Sequence, residues 1–174
     1  TQRNIRRGDL NVANTAIVFL YVGRITKDKG LFDLIAAMNM VSGQYLDAEL
    51  WIVGPDEVGI QKDLLGQVGV NVKVRWLGQT FHPEYYMAAA DILLLPSYRE
   101  GFGSVIIEAA ACGIPAIAYK TEGVVDAIVD GQTGILVEKF NIDQFSQAMM
   151  RLIEDATFRS QLGFAAQKRS QELF

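Results

Sequence analysis

An open, mostly parallel α/β sheet of about six strands, Rossmann-like with helices on both faces, is the fold the sequence predicts. Two observations predict it. Short apolar runs rich in Val, Ile and Leu recur six times with little in/out alternation, as strands covered on both faces require. Segments of helical period lie between them, and such alternation builds a parallel sheet.

Taken in order, the first strand is expected over residues 16–22 (AIVFLYV), followed by a helix over 29–41. The second strand, 50–53, precedes a helix over 57–68, and the third, 72–77, one over 84–89. The fourth strand, 91–96, leads into an Ala-rich helix over 104–111, and the fifth, 115–119, into one over 124–129. The sixth, 134–137, is followed by helices over 142–154 and 156–172. The polar residues 1–14 read as the end of an inter-domain connection, 15–165 as one ligand-binding domain, and 166–174 as the start of a truncated crossover helix. A chain of 174 residues suffices for one domain with a proper core, not two.

Composition narrows the class. Half the residues are hydrophobic and 21% are charged, which is ordinary for a globular α/β protein and far from a disordered one. The one cysteine, Cys112, cannot form an internal bridge, so a reducing, cytoplasmic setting is expected. A net charge of −4 argues against a nucleic-acid partner, and Arg3, Arg6 and Arg7 are too few to make a basic groove. No apolar run reaches transmembrane length and the opening residues are polar, so a soluble chain without a leader is expected. It begins with Thr1 and stops without a capping signal, as a piece of a longer protein would.

Sheets of this kind bind ligands at the carboxyl ends of their strands, where glycine recurs in this sequence. The run from Glu100 to Glu108 (EGFGSVIIE) joins the fourth strand to a helix, so its glycines should form the helix's first turn. Free N–H groups and the helix dipole there suit a phosphate. Ser104 is alternatively a structural N-cap. Glu108 stands among apolar neighbours, so a buried carboxylate is expected, serving either a structural ion pair or a ligand. The two glutamates are roughly 10 Å apart along the helix axis. Carboxylates accept hydrogen bonds from vicinal hydroxyls, and a nucleotide diphospho-sugar carries such hydroxyls on both sides of its diphosphate.

After the first strand, Arg24 and Lys29 flank a turn at the same sheet edge. They suit a departing diphosphate, or are a solvated basic loop. After the third, the backbone of Leu77, Gly78 and Gln79 offers a place for a nucleobase edge. His82 precedes Pro83 and reads as a helix start rather than a catalyst. Cys112, Trp51 and Trp76 read as packing. Walker and G-x-G-x-x-G phosphate loops are missing, as are a D-x-D pair and a Cys/His cluster for a metal; a single histidine argues against a Ser-His-Asp triad.

Together V-G-R-I-T-K-D-K-G (22–30), W-I-V-G-P (51–55), W-L-G (76–78), A-A-D-I-L-L-L-P-S-Y-R-E-G-F-G-S-V-I-I-E-A-A-A-C-G-I-P (89–115) and D-G-Q-T-G-I-L-V (130–137) resemble the donor domain of retaining GT-B glycosyltransferases of family 4, a group that includes many bacterial polysaccharide and O-antigen enzymes. The resemblance implies the C-terminal half of a GT-B fold. It implies that Arg24 and Lys29 bind the donor diphosphate, with Gly101, Phe102 and Gly103 near the sugar and phosphates. Glu100 would act at the donor sugar near its anomeric centre, and Glu108 would hold the ribose diol. Where many members carry G-G-x-x-E, this chain has Glu122-Gly-Val-Val-Asp126, which weakens the assignment of Thr121 and Gly123 as a donor loop.

A hexose or N-acetylhexosamine would move from a nucleotide diphospho-sugar, UDP-linked by default, to a saccharide or lipid-linked acceptor. No metal and no cofactor would be needed, and the parent enzyme could sit at the inner membrane face. The acceptor half would be the missing N-terminal domain, so this fragment should bind nucleotide without turnover. Rival readings are a sugar-nucleotide epimerase, disfavoured by the paired motifs, and a non-catalytic nucleotide-binding regulatory module.

Overall fold

All six apolar runs become parallel strands in a computed structural model that describes residues 2–174. They are β1 (Ile17–Val22), β2 (Ala48–Val53), β3 (Lys73–Gly78), β4 (Ile92–Leu95), β5 (Ala116–Tyr119) and β6 (Gly134–Val137). The sheet order is β3-β2-β1-β4-β5-β6. The chain therefore winds from β1 to one edge, crosses back beside β1, and winds to the other edge. Right-handed crossovers running in opposite directions put their helices on opposite faces. Helix α2 (Leu31–Ser42) accordingly packs with α3 (Gln61–Leu65) and α6 (Ile142–Glu154). Across the sheet, α5 (Ser104–Ala111) packs with α4 (Pro83–Met87) and α7 (Ala156–Leu173). Strands β2, β4 and β5 are buried throughout, as their unbroken apolar runs require. The edge strand β3 is only partly covered.

Three helices depart from expectation for local reasons. Residues 27–29 form a separate 3₁₀ turn closed by Gly30 at φ 70°, so α2 starts at Leu31. The helix expected over 57–68 shrinks to α3 because the Asp56 carboxylate accepts from the N–H groups of Ile60 and Gln61, at 3.1 and 3.0 Å, and fixes a later start. The helix expected over 124–129 is a series of turns over residues 122–127. There the Val129 N–H donates to the Thr133 hydroxyl, at 2.9 Å, instead of continuing a helix.

Ahead of β1 lies helix α1 (Gln2–Asp9), in the segment expected as a connection. Its anchor is Arg7, 1% exposed. The guanidinium donates to the carbonyls of Ala13, Asn14, Ala16 and Ala89, and to the Asp91 carboxylate at 2.6 Å. Asp91 also accepts from Arg3 and from the Val18 N–H. The arginines thus divide: Arg7 is a buried brace beneath the amino ends of β1 and β4, whereas Arg6 reaches the carbonyls of Glu84 and Tyr85.

Candidate functional site

The strand order reverses between β1 and β4, which is where a sheet of this kind opens a crevice at its carboxyl ends. The crevice here is of about 220 Å³, lined by Tyr21, Gly23, Arg24, Lys29, Glu100 and Ser104 among others. Three of the residues singled out in the sequence, Arg24, Lys29 and Glu100, therefore meet although up to 76 positions separate them.

Each is placed by its own loop. The Gly23 and Ile25 N–H groups donate to the carbonyls of Val53 and Pro55, both at 2.9 Å, which ties the β1 loop to the β2 loop. The Tyr98 N–H donates to the Asp28 carbonyl at 2.9 Å, tying the β4 loop to the 3₁₀ turn. This brings Lys29 Nζ within 2.7 Å of Glu100 Oε1, with both side chains about five-sixths buried. The Arg24 guanidinium lies further out, 3.5 Å from Glu57, and both of these are exposed.

Helix α5 begins at the crevice. Its N-cap is Gly103 at φ 66°, and no side chain among the described residues caps it. Ser104 is the first helical residue and lines the crevice, so the alternative reading of Ser104 as a structural N-cap does not hold. The first-turn N–H groups carry the positive end of the helix dipole towards the crevice. Gly101 and Phe102, just ahead of the cap, are exposed, and the Phe102 ring turns to Phe174 of the chain end, with ring centroids 5.6 Å apart.

Glu108 corrects the sequence expectation. It is exposed rather than buried, in a stripe with Ser104 and Ala111 at positions i, i+4 and i+7. Helix α5 buries Ile106, Ala109 and Ala110, and its small alanines made a two-sided helix look buried all round. No Arg or Lys among the described residues pairs with Glu108, so the structural ion pair is not made. Partial desolvation, and then the charge of Glu84, push its carboxyl above the ordinary glutamate range.

The remaining candidates lie around this centre. Gly78, at φ 70° and exposed, passes its carbonyl to the Gly54 N–H at 2.8 Å, so Leu77, Gly78 and Gln79 flank the crevice beyond the β2 loop. Gly123 is wedged against the β4 loop: a Cβ there would stand 2.2 Å from the Gly101 carbonyl oxygen and 2.4 Å from that of Glu100. Thr121, two residues before it, has a buried hydroxyl without a partner among the described residues. Gly123→Ala is expected to push the Glu100 backbone away and cost about 1–3 kcal/mol by overpacking, read by urea unfolding. An alanine variant as stable as the parent would mean that the two loops are not braced there.

His82 serves as the residue before α4, with Pro83 at the first helical position, and its Nδ1 faces Glu84 at 3.0 Å. Trp51 is buried and Trp76 partly so, while burial pushes the Cys112 thiol up. The residues that sequence reading passed over are Tyr21, hidden in an apolar strand, and Glu57. A polar-tipped aromatic in a fully buried run was the available signal for Tyr21, since a buried phenol needs a partner.

A larger hollow of about 530 Å³ lies at the opposite end of the sheet, beside Asp91 and Pro115. Its arginines, Arg3, Arg6 and Arg159, are engaged by Asp91 and by main-chain carbonyls. Among the described residues no three His, Cys, Asp or Glu side chains cluster as metal ligands, and no helix is long and apolar enough to cross a membrane.

Residues 2–169 match the family model described as glycosyl transferases group 1. The capsular polysaccharide biosynthesis glycosyltransferase CapM of Staphylococcus aureus is 31% identical over 163 residues, covering 92% of this chain and 43% of CapM. A D-inositol 3-phosphate glycosyltransferase of Corynebacterium diphtheriae is 32% identical over 178 residues, covering 95% of this chain and 42% of the relative. The Anabaena protein Alr3699/HepE, solved in complex with UDP-glucose, superposes with a TM-score of 0.87 at 27% identity, over 99% of this chain and 48% of that one. The chain thus spans less than half the length of these relatives.

Proposed function

Because this chain belongs to the glycosyl transferases group 1 family, we propose that it is the half that binds a nucleotide diphospho-sugar, in an enzyme whose acceptor half is a separate N-terminal domain. The carrying observation is the convergence of Lys29, Arg24, Glu100 and the uncapped start of α5 on one crevice at the switch point. The diphosphate sits at the helix start with its charge met by Lys29, Arg24 and main-chain N–H groups. Glu100 accepts hydrogen bonds from the sugar near its anomeric centre. Glu108, exposed and free of any cation among the described residues, accepts from the ribose diol. The nucleobase lies against Leu77, Gly78 and Gln79, and Thr121 and Gly123 border the sugar.

In the complete enzyme the acceptor attacks the anomeric carbon on the face the nucleotide leaves, with retention of configuration. As the diphosphate departs, its growing charge is stabilised most by groups already in place, which is what the braced loops provide. The donor carries a hexose or N-acetylhexosamine on UDP. That nucleotide is favoured by the UDP-glucose complex of the Anabaena neighbour. The acceptor is a saccharide or lipid-linked saccharide in surface polysaccharide synthesis, in keeping with the S. aureus relative. No metal or cofactor takes part, and the cytoplasmic enzyme works at the inner membrane face. Alone, the chain binds nucleotide without transferring sugar.

Calorimetry with UDP and 2′-deoxy-UDP tests this reading. The chain should bind UDP and prefer it to the deoxy form, and Glu108→Gln should abolish the preference. A chain that binds neither, or a preference that survives in Glu108→Gln, would falsify the assignment. The same variant has a stability signature. A carboxyl raised above its unfolded value favours the protonated folded state, so that stability is lost as pH rises through the window just above the ordinary glutamate range. Glu108→Gln should therefore melt at or above the parent's temperature at pH 7, with the difference vanishing in acid. A lower melting temperature at pH 7 would contradict it.

A further inference from the structure

Tyr21 is fully buried within β1, yet its hydroxyl reaches the floor of the crevice and donates to the Arg24 carbonyl at 2.7 Å. That is the only side-chain bond to the main chain of the Arg24 turn among the described residues. The phenol also lies directly under Gly23, where a Cβ would come within 2.8 Å of the hydroxyl oxygen and 3.2 Å of Cζ. Gly23 and Ile25 are tied to the β2 loop by main-chain bonds, whereas the main chain of Arg24, between them, is held from below by the Tyr21 hydroxyl.

We infer that Tyr21 is a positioning residue for the diphosphate site: its hydroxyl fixes the Arg24 main chain at the crevice lip, from which the guanidinium reaches the diphosphate. This rests on the donor-binding reading of the crevice. Arg24 is exposed and loosely paired with Glu57, so its side chain is free to swing. A long side chain gives up rotamer freedom to grip an anion, and a mobile Cα would add to that cost. Burial, and then the charge of Glu100, push the phenol far above the ordinary tyrosine range, so it stays protonated and keeps donating. Replacing it with phenylalanine keeps the ring beneath Gly23 and removes only the hydrogen bond.

The test is a double-substitution cycle on this chain with Tyr21→Phe and Arg24→Ala, measuring UDP by calorimetry and uridine by NMR titration. Tyr21→Phe should weaken UDP binding about three- to tenfold, the worth of one hydrogen bond, and leave uridine unchanged. Added to Arg24→Ala it should weaken UDP no further, because the group it positions is gone. Full additivity, or equal losses for UDP and uridine, would show a general packing role and overturn the assignment, as would unchanged UDP binding in Tyr21→Phe. A wild-type chain that ignores UDP would instead overturn the donor-binding reading itself, and this inference with it.

Discussion

Asp91→Ala is expected to lower the unfolding free energy by about 3–5 kcal/mol, the loss typical of breaking a buried ion pair from one side. Arg7 would remain buried with four carbonyls around it and without the carboxylate it is bonded to. Burial already holds the guanidinium below its ordinary range, with Asp91 opposing that shift, so the carboxylate is what makes the buried charge tolerable. In a domain of this size, about 1 kcal/mol moves the melting temperature by 2–4 °C, so a fall of roughly 10 °C should be seen. Many buried ion pairs can be exchanged for apolar residues at little cost. This one should not be, because Arg7→Met with Asp91→Ala orphans the carbonyls of Ala13, Asn14, Ala16 and Ala89. Urea unfolding of both variants decides: a loss under 1 kcal/mol for Asp91→Ala, or recovery in the double variant, goes against this account.

The second large effect is a pair of opposite signs. Lys29 and Glu100 neutralise one another at 2.7 Å across the crevice, so a diphosphate bound as proposed would have to take Lys29 from Glu100. Lys29→Ala should weaken UDP binding by about ten- to a hundredfold, the worth of a hydrogen bond to a charged group. Glu100→Gln removes the competitor and should tighten free UDP several-fold, while depriving the complete enzyme of transfer. Calorimetry with UDP measures both. If the two substitutions moved affinity in the same direction, the competition would not exist.

Much of this was open to inspection in the chain itself. The six strands were readable because each is an uninterrupted apolar run, and a strand buried on both faces has no other way to look. Arg24, Lys29 and Glu100 were readable because strand ends mark where loops converge in a parallel sheet. What escaped depended on partners distant in sequence. Arg7 read only as one of three clustered arginines, because the residue that neutralises it is 84 positions away. Glu108 looked buried because alanine suits either face of a helix, so the apolar count could not tell one covered side from two. The turns at residues 122–127 looked helical because Val124, Ala127 and Ile128 are buried at helix-like spacing. A hydroxyl four residues on from Val129 ends the run.

The glycine contacts and main-chain bonds that join neighbouring loops along the crevice have a consequence for how its ligand preference can change. The β3 loop leans on the β2 loop at Gly78 and Gly54, the β2 loop on the β1 loop at Pro55 and Ile25, the β1 loop on the β4 loop at Asp28 and Tyr98, and the β4 loop on the β5 loop at Gly101 and Gly123. Lengthening or shortening any one of them would unseat the next, so the rim resists insertion and deletion. On the donor-binding reading, divergence towards another donor would have to proceed by exchanging outward-facing side chains on loops of constant length.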